Sequence, residues 1–178
     1  MRTFAAVLLL TLAFGVAQHA RAQAQEQRIA ESIVINAPPD VVWEIAGDFV
    51  GLDRWYPFIE SSKLVLGENR SEGAIRELRR LNGTRIEEKL IEYDPWNRCL
   101  QYTYMEGDPL SSDYFATLQV KDAGAGRSCV EWTARFKRLE YWTDAPAGAE
   151  EARLVKLLSG GYKAGLQNLK KLAEAQPR

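Results

Sequence analysis

The sequence predicts an α+β fold in which a curved antiparallel sheet grips one long C-terminal helix. Residues 150–174 repeat apolar side chains every three or four positions, which is typical of one face of an α-helix about 35 Å long. From Phe58 onward the apolar residues alternate instead, in segments separated by short turns, which indicates antiparallel strands. Such a sheet buries one face. Only the long helix and two short helical segments remain to cover it.

The N-terminal 22 residues are typical of a secretory signal peptide. Arg2 precedes an apolar run from Phe4 to Ala17, and Ala20-Arg21-Ala22 has the A-x-A pattern of a cleavage site. The run is too short to cross a bilayer, so the alternative of a membrane anchor is disfavoured. We expect cleavage at this site, no stable membrane insertion afterwards, and a periplasmic or secreted protein. A flexible N-terminus over residues 23–27 and one domain over residues 28–176 would follow.

The composition argues against several classes of function. The single histidine, His19, lies in the predicted signal, so the mature chain has none to act as a general base or metal ligand. Two cysteines without histidine are too few for a transition-metal site. A formal net charge of −1, with no basic run, argues against nucleic-acid binding. We therefore expect no metal, no cofactor and no nucleic-acid partner.

The first strand is predicted from Arg28 to Asn36, where apolar residues alternate with others. Pro38-Pro39 then start a helix, because proline is tolerated in a first turn. Gly47 and Gly51 end it, and a short second helix or turn covers residues 52–56. Trp43 is expected to one side of the buried stripe. That stripe is predicted to consist of Val41, Val42, Ile45 and Phe49.

Six further strands are predicted over residues 61–67, 73–81, 84–93, 98–106, 113–122 and 128–138. Their connections carry Asn, Asp, Gly and Pro, the residues of tight turns, so the strands form an antiparallel meander. Alternation assigns an apolar set to the inner face of the last three strands, and this set is rich in Tyr and Trp. Its members are Leu100, Tyr102, Tyr104, Tyr114, Ala116, Leu118, Val120, Val130, Trp132, Ala134 and Phe136.

One hairpin predicts a buried ion pair. A three-residue loop, Leu81-Asn82-Gly83 with Gly83 left-handed, puts Arg76 directly opposite Glu88 on the inner face. A two-residue Asn-Gly turn would instead pair Arg76 with Lys89, which fits the charges worse. The Arg76–Glu88 pair is either a structural ion pair, the commoner fate of buried charges, or a polar anchor for a ligand.

The two cysteines are predicted to be free thiols. By the same alternation Cys99 and Cys129 point outward and flank Lys121, one on each neighbouring strand. Two strand spacings are about 9.6 Å, beyond the ~7 Å Cα limit for a disulfide. An oxidising compartment would favour pairing, but the geometry opposes it.

Three glycines lie inside the long helix, where each costs about 1 kcal/mol relative to alanine. Gly161 and Gly165 lie near the apolar stripe, so we predict that the helix is thin there, against the sheet or beside a cavity. Gly160 points to the side. The stripe itself is predicted to consist of Val155, Leu158, Tyr162, Leu166, Leu169 and Ala173.

These segments resemble the START-like or SRPBCC superfamily, in its polyketide cyclase/dehydrase branch. The resemblance covers Ile29 to Ala173 and rests on the order of many short motifs. They are Ser32–Pro38, Val42-Trp43, Gly47-Asp48-Phe49, Trp55-Tyr56-Pro57, Gly73–Leu78, Asn82-Gly83, Glu88-Lys89-Leu90, Tyr102-Thr103-Tyr104, Asp113-Tyr114, Val130-Glu131-Trp132, Phe136, Gly161-Tyr162 and Gly165-Leu166. The resemblance implies a helix-grip fold, seven antiparallel strands around the C-terminal helix with a hydrophobic cavity between them. An exported member is similar to the MxaD-like periplasmic accessory proteins of methanol oxidation.

Three functions are compatible with this resemblance. The one we predict is non-catalytic binding of a hydrophobic or amphipathic small molecule, lipid-like or polyketide-like, unless the aromatic residues merely fill the core. The second is an accessory protein that promotes contact between a periplasmic dehydrogenase and its cytochrome. The third is a cyclase- or dehydratase-like enzyme, for which no activated base is visible. Residues 141–146 would lie near the cavity mouth. The predicted ligand-binding residues are Trp43, Trp55, Tyr56, Arg76, Glu88, Tyr102, Tyr104, Tyr114, Trp132, Gly161, Tyr162 and Gly165.

Overall fold

The computed structural model describes residues 25–107, 109–139 and 148–176. The strands and helices follow the predicted order, and their ends differ from the predicted ones by one or two residues in most cases. They are β1 (Gln27–Ile35), α1 (Pro39–Ala46), a 3-10 helix (Phe49–Arg54), β2 (Ile59–Leu66), β3 (Ile75–Arg80), β4 (Arg85–Asp94), β5 (Cys99–Gly107), β6 (Ser112–Asp122), β7 (Ser128–Lys137) and α2 (Ala149–Glu174).

The strands form one seven-stranded antiparallel sheet in the order β1-β7-β6-β5-β4-β3-β2. The sheet curves around α2, which confirms the helix-grip fold. The predicted inner face is also confirmed: all its residues on β5, β6 and β7 are buried except Tyr104, which is partly buried. Burying each large apolar side chain contributes about 1.5–3 kcal/mol, so this face and the helix that covers it hold the domain together.

The buried stripe of α2 begins one residue earlier than predicted. Leu154 is fully buried and Val155 only partly, whereas the sequence favoured Val155. Both residues border the apolar face of the helix, and neighbouring side chains on a helix point about 100° apart. The sequence pattern alone therefore does not decide which of the two faces the sheet. The remaining predicted members are confirmed as buried: Leu158, Tyr162, Leu166, Leu169 and Ala173. Among the described elements, α2 packs most extensively against β1.

The buried face of α1 also differs from the predicted one. Val42, Trp43 and Ala46 are buried, whereas Val41 and Ile45 are only partly covered. Trp43 was expected to one side, but its ring stacks on Tyr93 of β4 at a centroid distance of 5.4 Å. This contact between α1 and β4 places Trp43 on the buried side of the helix. The spacing of apolar residues along α1 does not reveal it.

The β3–β4 hairpin has the predicted three-residue loop. Gly83 has φ +83°, and the N–H of Arg80 donates to the carbonyl of Thr84 at 2.9 Å. The register is also confirmed, since Arg76 lies directly opposite Glu88. A short loop allows only a few turn geometries, and each geometry fixes the strand register. The register of this hairpin was therefore predictable from the sequence.

The cysteines lie on β5 and β7, with β6 between them, and both are free thiols in the structure. Their predicted placement is half right. Cys129 lies opposite Lys121, but Cys99 lies opposite Gln119, two positions away. The β5–β6 connection is longer than a tight hairpin turn, so the sequence alone did not determine this register.

Two predictions fall outside the described residues, namely the signal peptide and the loop over residues 141–146. Within the described ranges, no helix combines the length and the apolar character needed to cross a membrane.

Candidate ligand-binding cavity

A cavity of about 330 Å³ lies between the inner face of the sheet and α2. Its walls come from β3 to β7, from α2 and from the segment that joins the 3-10 helix to β2. Eight of the twelve predicted binding residues line it: Tyr56, Glu88, Tyr102, Tyr104, Tyr114, Trp132, Gly161 and Tyr162.

The other four predicted residues do not line this cavity. Trp43 packs against Tyr93 of β4. The Trp55 ring lies behind Trp132, with 5.2 Å between the ring centroids. The remaining two are Arg76, which lies behind Glu88, and Gly165, which is covered by aromatic rings. Sequence alternation identifies the face of a strand, but it does not show how deep along that face the cavity extends.

Several residues that line the cavity were missed. Arg80 could have been found, because it continues the inward alternation of Ala74, Arg76 and Leu78 along β3. The others lie on β3 and β4, in the 3-10 helix, at the start of β2, in loops or on α2, and only the tertiary structure brings them together around one space. They include Leu52, Phe58, Ile59, Leu81, Asn82, Leu110, Leu157 and Leu158.

Two pairs of stacked rings form the aromatic walls. Tyr104 and Tyr114 stack at 4.1 Å with an interplanar angle of 9°, and Trp132 and Tyr162 stack at 3.8 Å and 11°. The polar tips of three of these four rings are paired. Trp132 Nε1 donates to the hydroxyl of Tyr102 at 3.0 Å, and the hydroxyls of Tyr114 and Tyr162 are hydrogen-bonded to each other. These hydrogen bonds satisfy the buried polar atoms of Tyr114, Trp132 and Tyr162 and fix the orientation of their rings.

The tyrosines around the cavity are neutral at physiological pH. Burial raises the pKa of Tyr102 to about 12, and it raises the pKa values of Tyr104, Tyr114 and Tyr162 well above the usual value. None of them can therefore act as a phenolate base near neutral pH. The part of the chain that the structure describes also holds no group of three or more His, Cys, Asp or Glu suited to a metal ion.

The Arg76–Glu88 pair is buried, each residue being 3% exposed. Arg76 Nε and Nη2 donate to Glu88 Oε2 at 2.9 and 2.5 Å. Nη1 of Arg76 also donates to the carbonyl of Phe49, and the guanidinium lies 4.1 Å from the centre of the Phe49 ring. Arg76 therefore has structural partners on all sides, as the ion-pair interpretation expects.

Glu88 differs from Arg76 because it lines the cavity. Burial raises the pKa of its carboxyl, and the neighbouring Arg76 guanidinium opposes that increase. Of the two residues of this pair, only Glu88 lines the cavity, and its role as a polar anchor for a ligand stays a prediction.

The three helix glycines have different surroundings. A Cβ on Gly165 would lie 2.7 Å from Tyr56 Cδ2 and 3.2 Å from both Trp132 and Trp55. A Cβ on Gly161 would meet the hydroxyl of Tyr56, at the wall of the cavity. A Cβ on Gly160 would meet nothing within 4 Å. The predicted thin point is confirmed: Tyr56 packs there against bare helix backbone.

Comparisons with known proteins agree with this architecture. The chain is 25% identical over 143 residues to the abscisic acid receptor PYL6 of Arabidopsis thaliana. The match covers 79% of this chain and 66% of the receptor, so the chain spans just under two thirds of the receptor's length.

Among solved structures, the chain is similar to the protein XoxI from Bacillus cereus, with a TM-score of 0.70 and 29% identity over 83% of this chain and 96% of that one. The Zhui aromatase/cyclase from Streptomyces sp. R1128 has a TM-score of 0.68 over 86% of this chain and 97% of its own. Its identity is 18%, so it shows the fold alone.

The family model described as polyketide cyclase / dehydrase and lipid transport matches residues 26–174. That span includes every strand and helix described above and all the residues that line the cavity. The chain therefore belongs to the polyketide cyclase / dehydrase and lipid transport family, in the START-like/SRPBCC superfamily that its sequence motifs resemble.

Proposed function

We propose that this protein binds an apolar or amphipathic small molecule in the cavity between the sheet and α2, without chemically changing it. The observation that carries the proposal is the cavity itself, about 330 Å³ in volume and walled by aromatic rings, with one buried carboxyl. Ligand pockets commonly begin at about 300 Å³ and combine apolar walls with a few polar groups. Membership of a family that includes lipid transport supports the same function.

The size of the cavity argues against the view that the aromatic residues merely fill the core. Protein interiors are close-packed, and few voids in them exceed one water molecule. A space of about 330 Å³ is far larger than such a void. Tyr102, Tyr114, Trp132 and Tyr162 are buried and yet border this space. The aromatic residues therefore surround a space rather than fill it.

Binding without catalysis is favoured by the state of the polar groups. The tyrosines are held neutral, and the carboxyl of Glu88 is bonded to Arg76 through Oε2. General acid–base catalysis needs a group whose pKa lies near the working pH and whose lone pair or proton reaches the substrate. The tyrosines do not meet that requirement, and the ion pair restrains Glu88.

The test compares two leucine variants of neighbouring glycines. Gly161→Leu places a side chain against Tyr56 and into the cavity, so its affinity for the fluorescent probe N-phenyl-1-naphthylamine should fall at least about tenfold. Gly160→Leu is the matched control, because its side chain enters open solvent, and it should keep the affinity of the unmodified protein. Fluorescence titration measures both, with native mass spectrometry for any ligand retained during purification. Equal affinities in the two variants, or no binding by the unmodified protein, would contradict the proposal.

We further propose that the mature protein functions in the periplasm or outside the cell. Support comes from the apolar run and the cleavage pattern in residues 1–22. An accessory role beside a periplasmic dehydrogenase and its cytochrome would require this location and stays a prediction. Intact-mass analysis of the protein released by osmotic shock should give a chain that begins at Gln23. A cytoplasmic protein that still begins at Met1 would refute this location.

A further inference from the structure

We propose that the cavity selects a compact, flat aromatic molecule that carries a hydroxyl group, and that Glu88 accepts the hydrogen bond from this hydroxyl. The inference rests on the proposed function and names its ligand class. It also excludes long-chain lipids as the preferred ligands. Two features of the site support it, the geometry of its walls and the position of its polar group, and the volume of the cavity admits a ligand of this class.

The volume of the cavity admits a ligand of this class. A space of about 330 Å³ lies near the lower end of the range found for ligand pockets, and a two-ring aromatic molecule with one substituent fits within it.

The walls favour flat rings. The two stacked pairs, Tyr104 with Tyr114 and Trp132 with Tyr162, have nearly parallel planes. Tyr56 meets Trp132 edge to face at 5.5 Å and 71°. A flat aromatic ligand can continue both arrangements, and aromatic pairs gain stability from them beyond the area they bury. A flexible chain cannot, and it would also lose rotational freedom on binding.

The carboxyl of Glu88 determines which polar group we expect the ligand to carry. Both hydrogen bonds from the Arg76 guanidinium go to Oε2, and Oε1 receives neither of them. The hydroxyl of Tyr102 already accepts from Trp132, and those of Tyr114 and Tyr162 are bonded to each other. The Glu88 carboxyl is therefore an acceptor that a ligand hydroxyl can reach from inside the cavity, which Tyr56, Tyr104 and Asn82 also line. A buried acceptor discriminates strongly against a ligand that lacks the donor.

Arg80 makes a carboxylate the competing class of ligand. It lines the same cavity from β3, and its Nη1 donates to Thr84 Oγ1 at 3.3 Å. A ligand carboxylate would meet this cation, but it would also meet the Glu88 carboxyl. Of these two residues, Glu88 is the buried one, so desolvation makes its interactions count for more. We therefore expect Glu88 to decide the preference.

The test measures four probes by displacement of N-phenyl-1-naphthylamine: 2-naphthol, 2-methylnaphthalene, 2-naphthoate and 1-hexadecanol. 2-Naphthol should bind at least about tenfold more tightly than each of the others. The double variant Arg76→Met/Glu88→Leu removes both charges together. In this variant 2-naphthol and 2-methylnaphthalene should bind with about the same affinity. Circular dichroism reports whether that variant is folded.

A second measurement does not depend on the variant. The ¹³C resonance of the Glu88 carboxyl should shift when 2-naphthol is added, and it should shift much less with 2-methylnaphthalene. Three results would each overturn the inference. They are equal affinity for 2-naphthol and 2-methylnaphthalene, tighter binding of 2-naphthoate or 1-hexadecanol than of 2-naphthol, and an unchanged preference in a folded double variant. Failure of all four probes and of the fluorescent probe would instead refute the proposed function.

Discussion

Replacing Arg76 with Met is expected to lower the free energy of unfolding by about 3–5 kcal/mol at neutral pH. The substitution leaves the Glu88 carboxylate buried without the two hydrogen bonds it now accepts. It also removes the guanidinium from the carbonyl and ring of Phe49. Urea unfolding of the two proteins measures the difference.

The loss should depend on pH in a defined direction. Arg76 lowers the pKa of Glu88, and burial raises it. Without Arg76, the folded-state pKa of this carboxyl therefore rises further above its unfolded value of about 4.3. A raised folded pKa means that stability is fully present below the unfolded pKa and is lost as the pH rises through the folded pKa. Unfolding curves from about pH 4 to about pH 8 should show the variant closest to the unmodified protein at the acid end.

Two controls separate a buried charge from general damage. Adding Glu88→Leu to Arg76→Met should restore most of the lost stability, because a buried pair can often be replaced by apolar residues. Lys63→Met removes the exposed partner of the Lys63–Glu77 surface pair and should cost no more than about 1 kcal/mol. If Arg76→Met costs no more than Lys63→Met, the pair contributes little and this explanation is wrong.

Replacing Gly165 with Leu is expected to lower the free energy of unfolding by about 3 kcal/mol. The first added carbon alone would meet the rings of Tyr56, Trp55 and Trp132 at 2.7–3.2 Å, and the rest of the side chain has no space beside them. Gly160→Leu on the same helix should instead raise stability by up to about 1 kcal/mol, because leucine is a better helix former and meets open solvent.

The comparison isolates packing, because both variants gain the same helix propensity. Thermal or urea unfolding measures it. Two variants with equal stability would mean that the rings move aside without cost, and that Gly165 is not needed for close packing. The result also bears on the cavity, since Tyr56 both covers Gly165 and lines the binding space.

Local patterns were sufficient to predict the fold. Alternation alone separated the inner and outer faces of β5, β6 and β7, because successive side chains of a strand point to opposite faces. The register of β3 and β4 was predictable because Leu81-Asn82-Gly83 is a short loop with few possible geometries. The Arg76–Glu88 pair follows directly from that register.

Only the tertiary structure decided which residues surround the cavity. Trp43 lies inward, where it stacks on Tyr93 of β4, and Leu154 rather than Val155 is the fully buried residue at the start of α2. Cys99 lies two positions from its predicted register because a longer connection leaves the pairing of β5 and β6 open. Leu157 reaches the cavity from the edge of α2, a position that periodicity assigns to solvent.

The sequence by itself thus determined the elements, the faces of the strands and the one hairpin register that a short turn constrains. These properties depend on residues close together along the chain. Contacts between distant residues decide the shape and depth of the cavity. They also decide that Arg76 bonds to Phe49 while Glu88 lines the cavity. Those contacts arise only when the sheet closes around the helix, because that closure decides which inward-facing side chains meet one another and which meet open space.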